Sequence, residues 1–443
     1  MAILPRYELV AVDDSTFSFI VDVQRNDFKY LTLFEENTAT SLLGTQYIEP
    51  GDKIEMEIEF DPQLQSYRTV SNSRKVECFN LISASNQYPE PNNSFETLFD
   101  QIDSLKNLRL KILDNNRTIL SKRVFNVAAA DIYGDACFKQ LQLCFTEYMD
   151  FSFKQLPSKQ LSRNREFDRF IKKKAPIDEE FLAESDSYLK FLNFSVSATL
   201  VRHGNTEFSF LNNFEFILTR FKGVIRDKML ARLFSDRNIY SYYSHGISPG
   251  IFKSSLIKAT QLCEEPNIKR YLEMIYSNLA EGSEAYDFSL EKDTSNIIFS
   301  LSQLKGKVVL LDMWGYSCTG CYLFAKIFHN EVYSKLKGDT SFAVVSIMLE
   351  PSTSKYNIVS YKERLRGRGN ESYTYSDYEN LYAASGVKEA DNIINHYRIV
   401  ASPFVILLDK EGKIISSTLP LFTSPDSPNV SLLRQIILDA LNS

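Results

Sequence analysis

The sequence predicts a multidomain protein: an N-terminal all-β, sandwich-like domain over residues 1–92, an α-helical domain over 93–282 and a C-terminal α/β domain over 283–443. Three observations support this division. Apolar residues alternate with polar ones in the first part, recur every three or four positions in the second, and form short uninterrupted runs in the third. A chain of 443 residues is long enough for two or three such domains.

The N-terminal strands are predicted from side chains that alternate in polarity. Between Lys53 and Phe60 every second residue is apolar, so one face of the strand lies on a core and the other faces water. The turn Pro50-Gly51-Asp52 precedes this strand. Two further strands are expected within residues 17–23 and 30–34, and an antiparallel sandwich accommodates all three.

Helices are predicted in the middle of the chain from apolar residues at helical spacing. Two such faces are formed by Phe95, Leu98, Phe99, Ile102 and Leu105, and by Phe181, Leu182, Ser185, Tyr188, Leu189 and Leu192. Ser248-Pro249 and Pro266 are typical helix starts, because proline is favoured at the first helical position.

The C-terminal domain is predicted from three short apolar runs that are typical of buried strands: 307–313, 342–348 and 404–408. A helix is expected after the first run, a hairpin partner at Ile414-Ile415, and an amphipathic helix from Val430 to Leu441. The tyrosine-rich stretch 372–378 is interpreted as a packed loop-to-helix junction, with the lining of a cleft as the alternative. This order of elements is an α/β plan.

Composition and charge exclude several classes of protein. The net charge of −6 argues against nucleic acid as a partner, and no apolar run approaches the ~20 residues that cross a bilayer. Six cysteines are too few for a disulfide scaffold in a chain of this length. The first residues lack the features of a signal peptide, so the sequence leaves open a cytoplasmic protein or a mature form whose export signal was removed.

The motif that carries chemistry is the run Trp314-Gly315-Tyr316-Ser317-Cys318-Thr319-Gly320-Cys321, between a buried strand and a helix. A cysteine at a helix N-terminus meets unpaired backbone N–H groups, which favour its thiolate. Three residues on, a second cysteine is within reach of a disulfide. We therefore expect Cys318 to be the exposed attacking thiolate and Cys321 the buried resolving thiol.

The last 160 or so residues resemble the thioredoxin-fold domain of the TlpA/ResA-like thiol–disulfide oxidoreductases. The resemblance is carried by residues 287–290, 304–310, the run that ends at Cys321, Ser402-Pro403, and the turn 409–413. It implies a thioredoxin-like fold in which Pro403 is a cis-proline that binds substrate backbone. It also implies that Asp312 is the buried acid that accepts the proton of the resolving cysteine, and burial would raise its pKa. Ser402 and Trp314 complete the expected substrate-binding set.

The sequence departs from that family at three places. Thr319-Gly320 lies between the cysteines where relatives often have a proline, Ser317 replaces an aromatic residue, and Phe324 stands where ResA-like proteins have a glutamate. The direction of electron flow is therefore open, and Asp312 is expected to do the acid–base work alone. The N-terminal 280 or so residues resemble, more weakly, the β-sandwich and helical appendages of exported bacterial proteins of this kind.

Less specific explanations exist for each of these residues. The cysteine pair could be a zinc knuckle or a structural disulfide, although no second Cys-x-x-Cys or His pair supplies further zinc ligands, so no metal is expected. Asp312 could be an ordinary buried carboxylate, Pro403 a strand-entry proline and Trp314 core packing. Cys78 and Cys263 are expected to be inert core residues. Cys137 and Cys144 are expected to be buried free thiols, with a second redox pair as the alternative.

The sequence thus predicts a protein-disulfide reductase that needs no cofactor. The resemblance implies a disulfide-containing protein substrate, a membrane electron donor, and a mature periplasmic or cell-envelope location. The rival hypothesis is a binding or assembly protein whose thioredoxin-like domain is a docking platform with a static disulfide. A peroxidase is a weaker third hypothesis, because the resolving cysteine lies inside the motif.

Overall fold

The described part of the chain falls into two compact units. The structure is a computed structural model that describes residues 10–11, 17–18, 23, 28–31, 45–61, 66–71, 73–85, 95–154, 175–202, 209–235, 247–292, 297–315, 318–349, 375–383, 388–399, 402–422 and 424–443. The units are Met1–Ala198 and Thr199–Ser443. The domain boundaries at 92/93 and 282/283 stay a prediction.

The described strands of the first unit form three two-stranded antiparallel ladders. They pair β1 (Val10–Ala11) with β2 (Phe17–Ser18), β3 (Lys29–Leu31) with β4 (Gln46–Ile48), and β5 (Met56–Asp61) with β6 (Ser66–Ser71). Each of the three predicted strands therefore contains a described strand, while residues 19–22 and 32–34 of the prediction lie outside the described residues. Their assembly into a sandwich stays a prediction.

The remaining elements of the first unit are helices: α1 (Arg74–Ala84), α2 (Phe95–Asn115), α3 (Lys122–Lys154), α4 (Glu179–Glu184) and α5 (Asp186–Arg202), the last of which crosses into the second unit. The prediction of an all-β segment over 1–92 is wrong at α1. Ser73 caps this helix by accepting a hydrogen bond from the Val76 backbone N–H, and Val76 and Phe79 bury one side of it.

The apolar face that was predicted as one helix around Leu182 and Leu189 is divided at Ser185. The Ser185 backbone is extended, and its hydroxyl accepts the Tyr188 N–H at 3.0 Å while it donates to Asp131 at 2.6 Å. These bonds cap a new helix, so α4 ends and α5 begins there.

The second unit begins with four described helices: α6 (Phe210–Arg220), α7 (Gly223–Ser235), α8 (Pro249–Leu262) and α9 (Pro266–Leu279). The starts of α8 and α9 are those predicted from Pro249 and Pro266. Buried phenylalanines from three of the helices pack with ring centroids 5.4–6.4 Å apart; they are Phe210, Phe214, Phe234 and Phe252.

A mixed seven-stranded sheet forms the rest of the second unit. In spatial order its strands are β13 (Ile414–Ser416), β12 (Phe404–Leu408), β9 (Val308–Trp314), β10 (Phe342–Leu349), β11 (Glu379–Ala383), β7 (Ser289–Lys292) and β8 (Ile297–Ser300). Strands β9, β10 and β11 are parallel, whereas β12 is antiparallel to β9 and β13 to β12. The hairpin β7–β8 and strand β11 were not predicted, because they are only four or five residues long and are held by pairing at the far side of the sheet.

Three helices accompany the sheet: α10 (Thr319–Ile327), α11 (Lys388–Tyr397) and α12 (Pro428–Asn442). Val308 and Leu310 of β9 share a core with Phe324 of α10 and Leu433 of α12. Side chains alternate along a strand, so Asp312 lies on this same helix-covered face.

The segment that follows β13 joins the sheet to the helices of the second unit. The Ser417 hydroxyl donates to the Leu279 carbonyl at 2.8 Å, and the Thr418 hydroxyl donates to the Ile247 carbonyl at 2.9 Å. Both hydroxyls are buried and satisfied. In neither unit does any helix of the described residues have the length and apolar character needed to span a membrane.

Candidate redox site

Cys318 and Cys321 form a disulfide at the start of α10. Their Sγ atoms are 2.11 Å apart and their Cα atoms 5.2 Å apart. Cys318 is the N-cap residue of the helix and is half-buried, whereas Cys321, in the first turn, is only 2% exposed. Cys318 is therefore the more accessible of the two cysteines.

Backbone N–H groups converge on Cys318. The Cys321 N–H donates to Sγ of Cys318 at 3.1 Å, and the Cys318 carbonyl accepts the N–H groups of Cys321 and Tyr322. This is the geometry of a helix cap in which sulfur takes the place of the usual side-chain oxygen. After reduction, the same N–H group and the positive end of the helix dipole favour negative charge on Cys318.

The segment before β12 lies against the disulfide. The Ser402–Pro403 peptide bond is cis, and the Ser402 carbonyl oxygen is 3.4 Å from Sγ of Cys318. Gly315 and Gly320 line the same contact, since a Cβ on Gly320 would lie 3.9 Å from Cδ of Pro403 and a Cβ on Gly315 would lie 3.4 Å from Oγ of Ser402, both ordinary van der Waals distances. The fold thus brings Ser402 and Pro403, more than eighty positions away in sequence, to Cys318.

Asp312 lies on β9, on the sheet face that α10 covers. It is 5% exposed, and its Oδ1 atom is buried without a hydrogen-bond partner. Burial raises the pKa of Asp312 from an ordinary 3.8 to about 7. A carboxyl group of this kind can hold or release a proton near neutral pH, which is the acid–base property expected from the sequence.

Trp314 belongs to the core rather than to the surface of the site. It is 2% exposed, packs with Cys321, Met348 and Tyr382, and donates its indole N–H to Oγ of Ser346 at 2.8 Å. A substrate has no access to a ring buried in this way, so the geometry favours core packing over the expected substrate contact.

Ser346 was not recognised from the sequence, although a signal was present. It is the one hydroxyl in the otherwise apolar strand β10, and it is 1% exposed. In the parallel pairing of β9 with β10 it stands opposite Asp312. Because its hydroxyl oxygen accepts the indole N–H of Trp314, Ser346 holds the only tryptophan of the chain in place beside the disulfide.

The remaining four cysteines take part in no disulfide. Cys78, Cys144 and Cys263 are buried and Cys137 is partly buried. Burial raises the pKa of Cys78 and of Cys263 to about 11, so both remain thiols at neutral pH. Among the described residues, no group of three or more His, Cys, Asp or Glu side chains could hold a metal ion.

The predicted tyrosine-rich junction leads into a strand rather than a helix, since Tyr378 directly precedes β11. Tyr378 and Tyr375 pack against the core under α10. The residues before Tyr375 in this stretch, like Tyr316 and Ser317 of the motif, lie outside the described residues.

The topology and the site together define a thioredoxin-like domain. The parallel strands β9 and β10 are followed, on the β9 side, by the antiparallel strands β12 and β13. The Cys-x-x-Cys begins the helix after β9, and a cis-proline precedes β12. The elements of this arrangement lie between Val308 and Ser416.

Comparisons with known proteins find similar folds over part of the chain. The thioredoxin domain of a thiol-disulfide oxidoreductase from Bacteroides vulgatus is 22% identical, with 36% of this chain and 97% of that chain covered, at a TM-score of 0.28. A thiol:disulfide interchange protein from Bacteroides sp. is 22% identical over 38% of this chain and 93% of that chain, at 0.29. A thioredoxin-like protein from Bacteroides caccae is 16% identical over 59% and 87%, at 0.34.

No protein-family model and no curated protein matches the chain. The thioredoxin-like fold rests on the strand order, the helix positions and the cis-proline of the chain itself.

Proposed function

We propose that the protein is a thiol–disulfide oxidoreductase that reduces protein disulfides through Cys318 and Cys321. The observation that carries this proposal is the disulfide at a helix N-terminus, open on the Cys318 side and resting on the cis-proline segment, with a buried carboxyl on the strand that precedes it. A disulfide that served only as a staple would need none of these surroundings.

In the proposed reaction, the Cys318 thiolate attacks a substrate disulfide and displaces one substrate thiolate, which gives a mixed disulfide. Pro403 and the backbone of Ser402 hold the substrate chain beside it. Cys321 then attacks Sγ of Cys318 and releases the second substrate thiol. Two electrons pass to the substrate, and the Cys318–Cys321 disulfide is the oxidised product.

Asp312 supplies the acid–base step in this proposal. Cys321 must lose a proton before it attacks, and it is buried among apolar side chains where a free thiolate is costly. A carboxylate with a pKa of about 7 is ionised in part of the molecules at neutral pH and can accept that proton. During re-reduction the same group returns the proton to the leaving Cys321 sulfur.

The biological setting is also a proposal. The resemblance of the motif residues to TlpA/ResA-like proteins favours a periplasmic or cell-envelope reductant whose disulfide is re-reduced by a membrane electron donor. The reduction potential of the pair is sensitive to the two residues between the cysteines, Thr319 and Gly320.

Thiol-dependent reduction of insulin tests the proposed activity. We expect turnover in the full chain and in a variant that lacks Cys78, Cys137, Cys144 and Cys263, but none in Cys318→Ser. Activity that persists in Cys318→Ser would contradict the proposal. Measuring the reduction potential tests the rival hypothesis, because a pair below about −300 mV behaves as a structural staple and a docking platform would then be favoured.

A further inference from the structure

The surface around Cys318 includes part of α10 that the proposed reaction leaves unused. A substrate whose sulfur bonds to Sγ of Cys318 must lie on the residues beside that atom. Ser402 and Pro403 form one part of this surface. The turns of α10 that follow Cys318 form another, and their side chains are in a position to contact the substrate chain.

Tyr322 lies one helical turn from Cys318, beside the disulfide. Its backbone N–H donates to the Cys318 carbonyl at 3.2 Å. Both residues are partly buried, and both pack against the cluster that contains Cys321 and Trp314. Residues four positions apart are neighbours on one helix face, with Cβ atoms about 6 Å apart. A substrate residue close to the bonded sulfur therefore has the Tyr322 side chain within reach.

Lys326 lies one turn further along α10 and is held by Tyr322. The Lys326 ammonium donates to the Tyr322 hydroxyl oxygen at 3.2 Å, and its Nζ atom is 5.6 Å from the centre of the Tyr322 ring. The second contact is also favourable, because the face of an aromatic ring attracts a cation. Together the two contacts hold the ammonium of this exposed lysine toward the N-terminal end of α10, where Cys318 lies.

The Lys326 ammonium keeps N–H groups that a bound chain can use. An ammonium carries three N–H donors, and the Tyr322 hydroxyl accepts one of them. Within the part of the chain that the structure describes, no carboxylate forms an ion pair with Lys326, whereas the exposed Lys335 pairs with Glu331. A carboxylate on the substrate is the group that fits this charge and these donors.

We propose that Tyr322 and Lys326 select substrates that carry an acidic residue near the cysteine that is reduced. The substrate chain runs from Cys318 over the Tyr322 ring, and its carboxylate pairs with Lys326. The Lys326 backbone is about 12 Å from Cys318 along the helix, at about 1.5 Å per residue, and its side chain points back toward Cys318. Since an extended chain covers about 3.3 Å per residue, a carboxylate about three residues from the substrate cysteine reaches the ammonium. The inference rests on the proposed function, because it concerns the substrate of the same disulfide.

Rates on matched peptide disulfides test this preference in the reduced full-length protein. The probes are capped heptapeptides with a central cysteine, glutamate, glutamine or lysine at both ends, and alanine between, each activated as a mixed disulfide with 2-thiopyridine. Attack of the Cys318 thiolate on the peptide sulfur forms the Cys318–peptide disulfide and releases 2-thiopyridone, whose absorbance gives the rate. The rate of Cys318→Ser is subtracted, so that other thiols do not contribute.

The wild type should react about threefold faster with the glutamate peptide than with the glutamine peptide, as expected for one exposed charge pair, and slowest with the lysine peptide. This preference should vanish in about 1 M sodium chloride, where the Debye length is about 3 Å. Lys326→Gln should make the rates similar, and Lys326→Glu should favour the lysine peptide. Tyr322→Leu should weaken the preference, because Lys326 loses both contacts that hold it. Any change in the reactivity of the Cys318 thiolate cancels in the ratio between peptides.

Lys305→Gln is the matched control. Lys305 is an exposed lysine in the turn before β9, whereas the disulfide follows the other end of that strand. Its substitution removes one positive charge from the same domain and should leave the rates with all the peptides unchanged.

Two results would overturn the inference in distinguishable ways. If the wild type reacts equally with all the peptides at low salt, if the preference survives in full in Lys326→Gln or Tyr322→Leu, or if Lys305→Gln loses it equally, the two residues do not select the substrate and the oxidoreductase proposal stands. If the wild type releases no more thiopyridone than Cys318→Ser, both proposals fail. Lys326 is exposed, so its two variants keep the test decisive even if Tyr322→Leu does not fold.

Discussion

Replacing Asp312 by asparagine should stabilise the protein in a manner that depends on pH. Burial raises the pKa of this carboxyl from 3.8 to about 7, so between these values the folded protein binds more protons than the unfolded chain. The free energy of unfolding of the wild type therefore falls as the pH rises through this window. Above pH 7 the ionised carboxylate costs the full difference, which at 1.36 kcal/mol per unit is about 4 kcal/mol.

Asparagine cannot ionise, so Asp312→Asn escapes this cost. Any constant effect of the amide cancels when the two proteins are compared at two pH values. We expect the stability of Asp312→Asn relative to the wild type to increase by about 3 kcal/mol between pH 4.5 and pH 8, since part of the cost is already present at pH 4.5. The same variant should slow the resolution step carried out by Cys321.

The measurement is denaturant unfolding of the oxidised proteins, followed by tryptophan emission. Trp314 is the only tryptophan and lies in the same domain as Asp312, so its emission reports the unfolding of that domain. Asp426→Asn, at an exposed carboxylate, is the control and should show no such change. A relative stability of Asp312→Asn that is the same at both pH values would refute the reasoning.

Three further predictions concern the first unit. Gly134→Ala should destabilise it by at least about 2 kcal/mol, despite alanine's better helix propensity, because the new Cβ would lie 2.2 Å from the Tyr188 backbone nitrogen; denaturant unfolding measures this. Tyr47→Phe should cost about 2 kcal/mol by the same assay, because the hydroxyl donates to the partly buried carboxylate of Asp131 at 2.7 Å. Cys78, with a pKa of about 11, should resist iodoacetamide at pH 8 in the native protein and react after unfolding, as followed by mass spectrometry.

A specific result would contradict each of these three predictions. Gly338 has open space around its α-carbon, so Gly338→Ala is the control for Gly134→Ala and should be nearly neutral. Equal effects of the two glycine substitutions would contradict the close approach at Gly134. If Tyr47→Phe leaves the free energy of unfolding unchanged, the hydrogen bond of Tyr47 makes no net contribution to stability. Rapid native alkylation of Cys78 would mean that this thiol is accessible.

Elements with strong local signals were predictable, and elements held by distant partners were not. Helices α8 and α9 were located because proline marks their first turns, and β9, β10 and β12 because uninterrupted apolar runs suit strands buried on both faces. By contrast, β11 is a short segment of mixed polarity that becomes a strand through its parallel pairing with β10. Such pairing depends on residues far away in sequence, which local pattern does not record.

The chemistry of the site divides in the same way. The sequence by itself determined the reactive pair, because the spacing of Cys318 and Cys321 and the helix that follows are local properties of one segment. It also placed Asp312 on a buried strand. Only the tertiary structure decided that Ser402 and Pro403 face Cys318, that Trp314 is core, and that the Tyr378 hydroxyl meets His329. Those contacts join strands and helices that are distant along the chain, and only the packing of the sheet against α10 brings them within bonding distance.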